Sequence, residues 1–141
     1  MLDAIRSFGQ NGAILLLGLS VGAAWIVAIV APNTSYDHLK DQDADDHVRE
    51  LIRAASDPIA VLLLVAGGLA ILGGILVSGI AALIAAFGFF INRWTLARAN
   101  TKSKDPGEQN VGKTRRILAV SSTLVFSLVA ATAAVLAVFG V

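Results

Sequence analysis

The chain contains no cysteine. That excludes disulfides, thiolate-held iron–sulfur clusters, c-type haem attachment and thiol catalysis. It has one methionine, Met1, so no thioether relay for soft copper crosses it. Its two histidines, His38 and His47, share one polar stretch, which leaves no imidazole in the apolar parts to hold a haem. Charge is scarce too. Of the 141 residues, 15% are Asp, Glu, Lys or Arg and 56% are hydrophobic, whereas a soluble domain carries roughly 25% charged residues.

The apolar residues fall into three blocks, 12–31, 58–91 and 117–141, and none of them contains an Asp, Glu, Lys, Arg or His. Runs of about 18 or more such residues read as membrane spans, so the expectation is an all-α, multi-pass helical bundle forming one membrane domain over 1–141. The first block exceeds a signal-peptide core of 7–15 residues and is read as a retained span. The middle block is too long for one crossing, since a single helix over 58–91 would extend about 51 Å against a hydrocarbon core of about 30 Å. A hairpin broken at Val77-Ser78-Gly79 divides it, because glycine permits the backbone that closes a helix. This gives four spans, about 12–31, 58–76, 80–96 and 117–140; one tilted helix would give three.

Two connectors carry nearly all the charge. Residues 32–57 hold Asp37, Asp41, Asp43, Asp45, Asp46, Glu50 and Asp57 against Lys40, Arg49 and Arg53. Pro32-Asn33-Thr34-Ser35 reads as a turn leaving the first span. Val48, Leu51, Ile52 and Ala55 then share one face of a short interfacial helix starting near Asp45, which Ser56-Asp57-Pro58 should end, with Asp57 capping the next helix. The loop at about 97–116, flanked by Arg93, is basic. Arg93, Arg98, Lys102, Lys104, Lys113, Arg115 and Arg116 stand there against Asp105 and Glu108. With four spans both connectors lie on one side, opposite Arg6 alone, which is a strong positive-inside bias placing them in the cytoplasm. Three spans also satisfy the rule, less sharply.

Motifs for chemistry are few. Asp41-x-Asp43-x-Asp45 opens like a calcium loop, but Asp46 stands where the glycine is needed and Ile52 where the bidentate glutamate is needed. The hydroxyls within the spans, Ser20, Ser78, Ser121, Ser122, Thr123, Ser127 and Thr132, do not ionise, and ion-coupled carriers use intramembrane acids or histidines. The expectation is therefore no enzyme, no catalytic set, no cofactor and no metal.

Small residues are more informative. Gly18 and Gly22 form GxxxG, Ala66, Ala70, Gly74 and Ser78 recur every fourth residue, and Ala119, Thr123, Ser127 and Ala131 do the same in the last span. Such stripes let helix backbones approach closely in lipid, where no hydrophobic force drives helices together. They are read as helix-packing positions. Arg93, Trp94, Arg98, Lys113, Arg115 and Arg116 are read as contacts to a partner or to lipid headgroups.

The order of elements resembles small four-helix bacterial membrane proteins of the copper-resistance-D-like group. The resemblance is carried by Ala28-Ile29-Val30-Ala31-Pro32 closing the first span, Asn92-Arg93-Trp94 after the third, and Arg115-Arg116-Ile117-Leu118 entering the fourth. It implies a four-helix architecture; the expected location is a bacterial inner membrane, with an organelle membrane as the alternative. The metal handling that the group's name suggests has no intramembrane His, Met or Cys to use. The expected function is a non-catalytic accessory or structural subunit packed against other integral membrane subunits or itself, in contact with membrane lipids and with no nucleic acid. The alternative is a small oligomeric channel or transporter.

Overall fold

The structure, a computed structural model, describes residues 1–97 and 106–141. Among the described residues every element is helical: α1 (Leu2–Trp25), a π-helical turn (Ile26–Val30), α2 (Ala31–His38), α3 (Asp41–Leu72), α4 (Leu76–Ala97) and α5 (Pro106–Val138). Four stretches are long and apolar enough to cross a membrane, namely Leu2–His38, Asp46–Leu72, Leu76–Arg93 and Val120–Val138. The chain is thus an all-α helical bundle whose architecture is compatible with a multi-pass membrane protein. Around the ring α1 packs on α3, α3 on α4, α4 on α5, and α5 back on α1.

Three local expectations need correction, each because packing overrides a local signal. Helix does not stop at Pro32. Proline has no N–H to continue the ladder, and the π turn just before it absorbs the mismatch: the Ala31 N–H reaches back five residues to the Ile26 carbonyl. Helical backbone then runs on to His38, with Thr34 Oγ1 donating to the Val30 carbonyl at 3.0 Å and Ser35 Oγ to the Ala31 carbonyl at 2.8 Å.

Nor is there a separate interfacial helix, because α3 runs unbroken from Asp41 through Pro58 to Leu72. Asp57 therefore caps nothing. The anticipated face is correct, since Val48 and Ile52 are buried and pack with Val27 and Val120. Buried Ile52 and Ser56 before the proline and buried Ile59 and Ala60 after it hold both halves against the bundle. That outweighs the one ladder bond proline removes.

The hairpin does turn within the middle block, but at Gly73-Gly74-Ile75 rather than at Val77-Ser78-Gly79. Gly74 has φ +81°, a left-handed conformation that costs an L-residue about 1–2 kcal/mol. The Ile75 N–H closes the turn on the Ala70 carbonyl at 3.0 Å.

Inner faces follow spacings of three and four. Ala13, Leu17, Ser20, Ala24 and Ala28 line the inside of α1, Ser78, Ala82, Ala85, Phe89 and Asn92 that of α4, and Thr123, Ser127, Ala130, Ala133 and Ala137 that of α5. Alanine dominates because helices in lipid gain from dispersion at close range. Backbone meets backbone most closely, among the described glycines, at the Gly9–Gly73 crossing of α1 over the end of α3. A Cβ at Gly9 would lie 2.7 Å from the Leu69 oxygen and 2.8 Å from the Gly73 nitrogen. Gln10 Nε2 donates to the Gly73 carbonyl there at 3.1 Å. Gly88 leaves the room that the Phe126 ring fills, and that ring sits 6.4 Å from the ring of Phe89.

Candidate functional site

The bundle has two unlike ends. At one, the start of α1 meets the Gly73-Gly74 turn, and the Ser78 N–H donates to the Val141 oxygen at 3.2 Å. The other end gathers α2, the first half of α3, the end of α4 and the start of α5. Val27, Val48, Ile52 and Val120 meet there, and Asp57 pairs with Arg93. The acidic connector and the flank of the basic loop therefore share one end, as an even number of crossings requires.

Polar chemistry concentrates near that second end, where each helix contributes. On α4, Asn92 is 2% exposed and bridges to α5. Its Nδ2 donates to Thr123 Oγ1 at 2.6 Å, and its Oδ1 accepts from Ser122 Oγ at 3.0 Å. Ser20, Ser56 and Ser127 are buried, and each donates to the carbonyl four residues earlier in its own helix, at 2.7, 2.6 and 2.7 Å. Farther toward the hairpin end, Ser78 Oγ crosses to the Ala133 carbonyl at 2.8 Å. These groups are spent on intrachain hydrogen bonds. In a medium without water the bonds that cross between helices, those of Asn92 with Thr123 and Ser122 and of Ser78 with Ala133, hold helices in register, each worth about 0.6 kcal/mol and at most about 1.7.

On the surface of the α3–α4 pair, Arg93 Nη1 donates to Asp57 Oδ2 at 2.6 Å. The side chains are 48% and 41% exposed, while Asp57 Oδ1 is buried without a hydrogen-bond partner among the described residues. The pair ties α4 to α3 at the height of Pro58, where the ladder of α3 lacks a donor. A weaker pair within α3, Arg49 with Asp46 at 3.0 Å, lies in the exposed part. Among the described residues, no three of His, Cys, Asp and Glu converge to hold a metal ion.

Of the positions read from the sequence as helix-packing, Ala66, Ala70, Ser78, Thr123 and Ser127 are buried between helices. Gly18 and Gly22 point outward, with nothing within 4 Å of a Cβ built on either. Gly74 is the turn residue and stands exposed, so it is no packing position. Arg93 is at the surface in its ion pair. Arg98 lies outside the described residues, as do the side chains of Trp94, Lys113, Arg115, Arg116 and Ala119.

Sequence reasoning missed three features. Asn92 was placed at the membrane boundary, although it continues the Ser78, Ala82, Ala85, Phe89 spacing that marks the inner face. The Gly9–Gly73 crossing joins two residues that no pattern links. The Asp57–Arg93 pair likewise depends on the register between α3 and α4. Comparison of the chain with models of protein families, with curated proteins and with solved structures finds no match.

Proposed function

We propose that this chain is a non-catalytic integral membrane subunit, in the bacterial inner membrane, which associates through its outer helix faces with other membrane subunits or with further copies of itself. The observation that carries the reading is that the inward faces of the described helices are packed on one another. Alanine fills them, and their buried hydroxyls and the Asn92 amide bond within the chain. What is left for work is the outer surface. On α1 the outward pair Gly18 and Gly22 forms a shallow strip beside exposed Leu15, Leu19 and Trp25, so that another helix can approach the α1 backbone closely. The excess of Lys and Arg at the connector end orients that end to the cytoplasm.

A small oligomeric channel is the second reading, favoured by exposed Ser121 and Thr132 on the outside of α5. Ser122 and Ser127 are turned inward and bonded, which leaves a pore between copies little polar lining. Two measurements decide. Gentle solubilisation of native membranes is expected to retain a partner or a homo-oligomer that Gly18→Leu releases while helicity is unchanged. Liposomes containing the protein alone are expected to pass no ions; a flux abolished by Ser121→Val with Thr132→Val would establish the channel instead.

A further inference from the structure

The apolar belt of the bundle is stepped. Val27 of the π turn and Val120 of α5 pack against Val48 and Ile52 of α3, which places these residues at one height along the axis. Around that height the π turn and α5 expose Ile26, Val30, Ile117 and Leu118, while α3 exposes Asp46, Glu50 and Arg53. On the α3–α4 side the belt ends lower, at Asp57 and Arg93. Five residues separate Ile52 from Asp57, and Val30 lies three residues beyond Val27, so the step is about 12 Å at ~1.5 Å per residue. Helix lengths agree. The uncharged stretch from α1 through the π turn, residues 12–31, spans about 30 Å, but α3 from Pro58 to Leu72 spans about 22 Å and α4 from Leu76 to Ile91 about 24 Å. A hydrocarbon core is about 30 Å thick.

An arginine at the edge of a span ordinarily extends along its helix until the guanidinium reaches water. Here Arg93 is held across to α3 by Asp57 at 2.6 Å, so its charge is fixed in height. One N–H of a five-donor fork is used in that bond, and the side chain remains 48% exposed. We propose that the α3–α4 face is a lipid-facing surface beside which the bilayer thins, bringing phospholipid phosphates down to the pinned guanidinium of Arg93. The occupant is the phosphodiester of the surrounding lipid, shared by zwitterionic and anionic headgroups. The inference goes beyond the subunit reading and concerns the face away from the Gly18–Gly22 strip. It requires only that the bundle sits in a bilayer.

The cysteine-free chain permits single nitroxide labels at Val61, on α3 just inside Asp57, and at Leu128, on α5 at about the same height. Both positions are exposed. Their depths in phosphatidylcholine bilayers are read from collision with oxygen and with a water-soluble nickel chelate. The Val61 label is expected to read shallower than the Leu128 label by up to about 6–8 Å, the shortfall of the α3–α4 face. The gap should shrink in shorter-chain lipid and in the double variant Asp57→Leu with Arg93→Leu, which removes the pinned charge without stranding its partner. Equal depths in the unaltered background overturn the proposal, whether or not the double variant folds. So does a Val61 label shielded from both colliders, which means that protein covers the face. Both labels open to the chelate would instead refute membrane insertion itself, separating that failure from this one.

Discussion

Two alanines in one helix, at Gly9 and at Gly18, should act in opposite directions. A Cβ at Gly9 would sit 2.7 Å from the Leu69 oxygen, 2.8 Å from the Gly73 nitrogen and 3.0 Å from the Gly73 Cα. All three atoms are backbone at the end of α3, so no side chain can rotate away and α1 itself must retreat. Overpacking of this kind costs about 1–3 kcal/mol. The retreat also loosens the Gln10 bond to the Gly73 carbonyl, worth about 0.6 kcal/mol. Against this stands the gain of alanine over glycine in a helix interior, about 1 kcal/mol, which leaves Gly9→Ala destabilised by about 0.6–2.6 kcal/mol. At Gly18 a Cβ meets nothing within 4 Å. Gly18→Ala keeps the propensity gain and should be stabilised by up to about 1 kcal/mol. The assay is reversible unfolding of the micellar protein by added SDS, followed by circular dichroism. If Gly9→Ala proves as stable as Gly18→Ala, α1 and α3 do not cross at this distance and the described packing is wrong.

Loss of the buried amide in Asn92→Ala removes the bonds to Thr123 and Ser122 and should cost about 1–3 kcal/mol in the same titration, whereas Ser121→Ala, on the outside of α5, should change stability by less than about 0.5 kcal/mol. A larger loss from Ser121→Ala would place Ser121, and not Asn92, at the helix contact. Cysteines introduced singly at Asp43, Val77 and Lys104 should react with a membrane-impermeant maleimide from the same side for Asp43 and Lys104 and from the opposite side for Val77. Reaction of Asp43 and Lys104 from opposite faces would contradict the four-crossing path.

Much of this fold is legible without coordinates because lipid imposes a coarse rule. A helix that crosses hydrocarbon must satisfy its backbone internally and carry almost no charge. The three uncharged blocks and two charged connectors therefore announce an all-helical bundle, and the length of the middle block announces a hairpin. The connector face of Val48 and Ile52 was readable for the same reason, since period alone separates inside from outside.

Local signals failed where packing could outweigh them. Pro32 and Pro58 look like helix ends, yet a π turn accommodates the first, and buried neighbours on both sides carry α3 through the second. GxxxG at Gly18 and Gly22 looks like an internal contact, but composition cannot say which face of α1 turns inward, and the rotation was decided by the partner surfaces of α3 and α5. The hairpin position was settled by which glycine takes φ +81°. Asn92 with Thr123, Asp57 with Arg93, and Gly9 with Gly73 lie 31, 36 and 64 residues apart in sequence. A single chain encodes no register between distant helices until they pack. The sequence by itself determined which stretches are apolar enough to cross a bilayer, in three or four passes, and which connectors carry the charge, because hydration energy acts on each residue separately. Which small residues touch, which polar groups meet, and the uneven height of the apolar belt were decided only by the tertiary structure, because those depend on how the helices rotate and slide against one another.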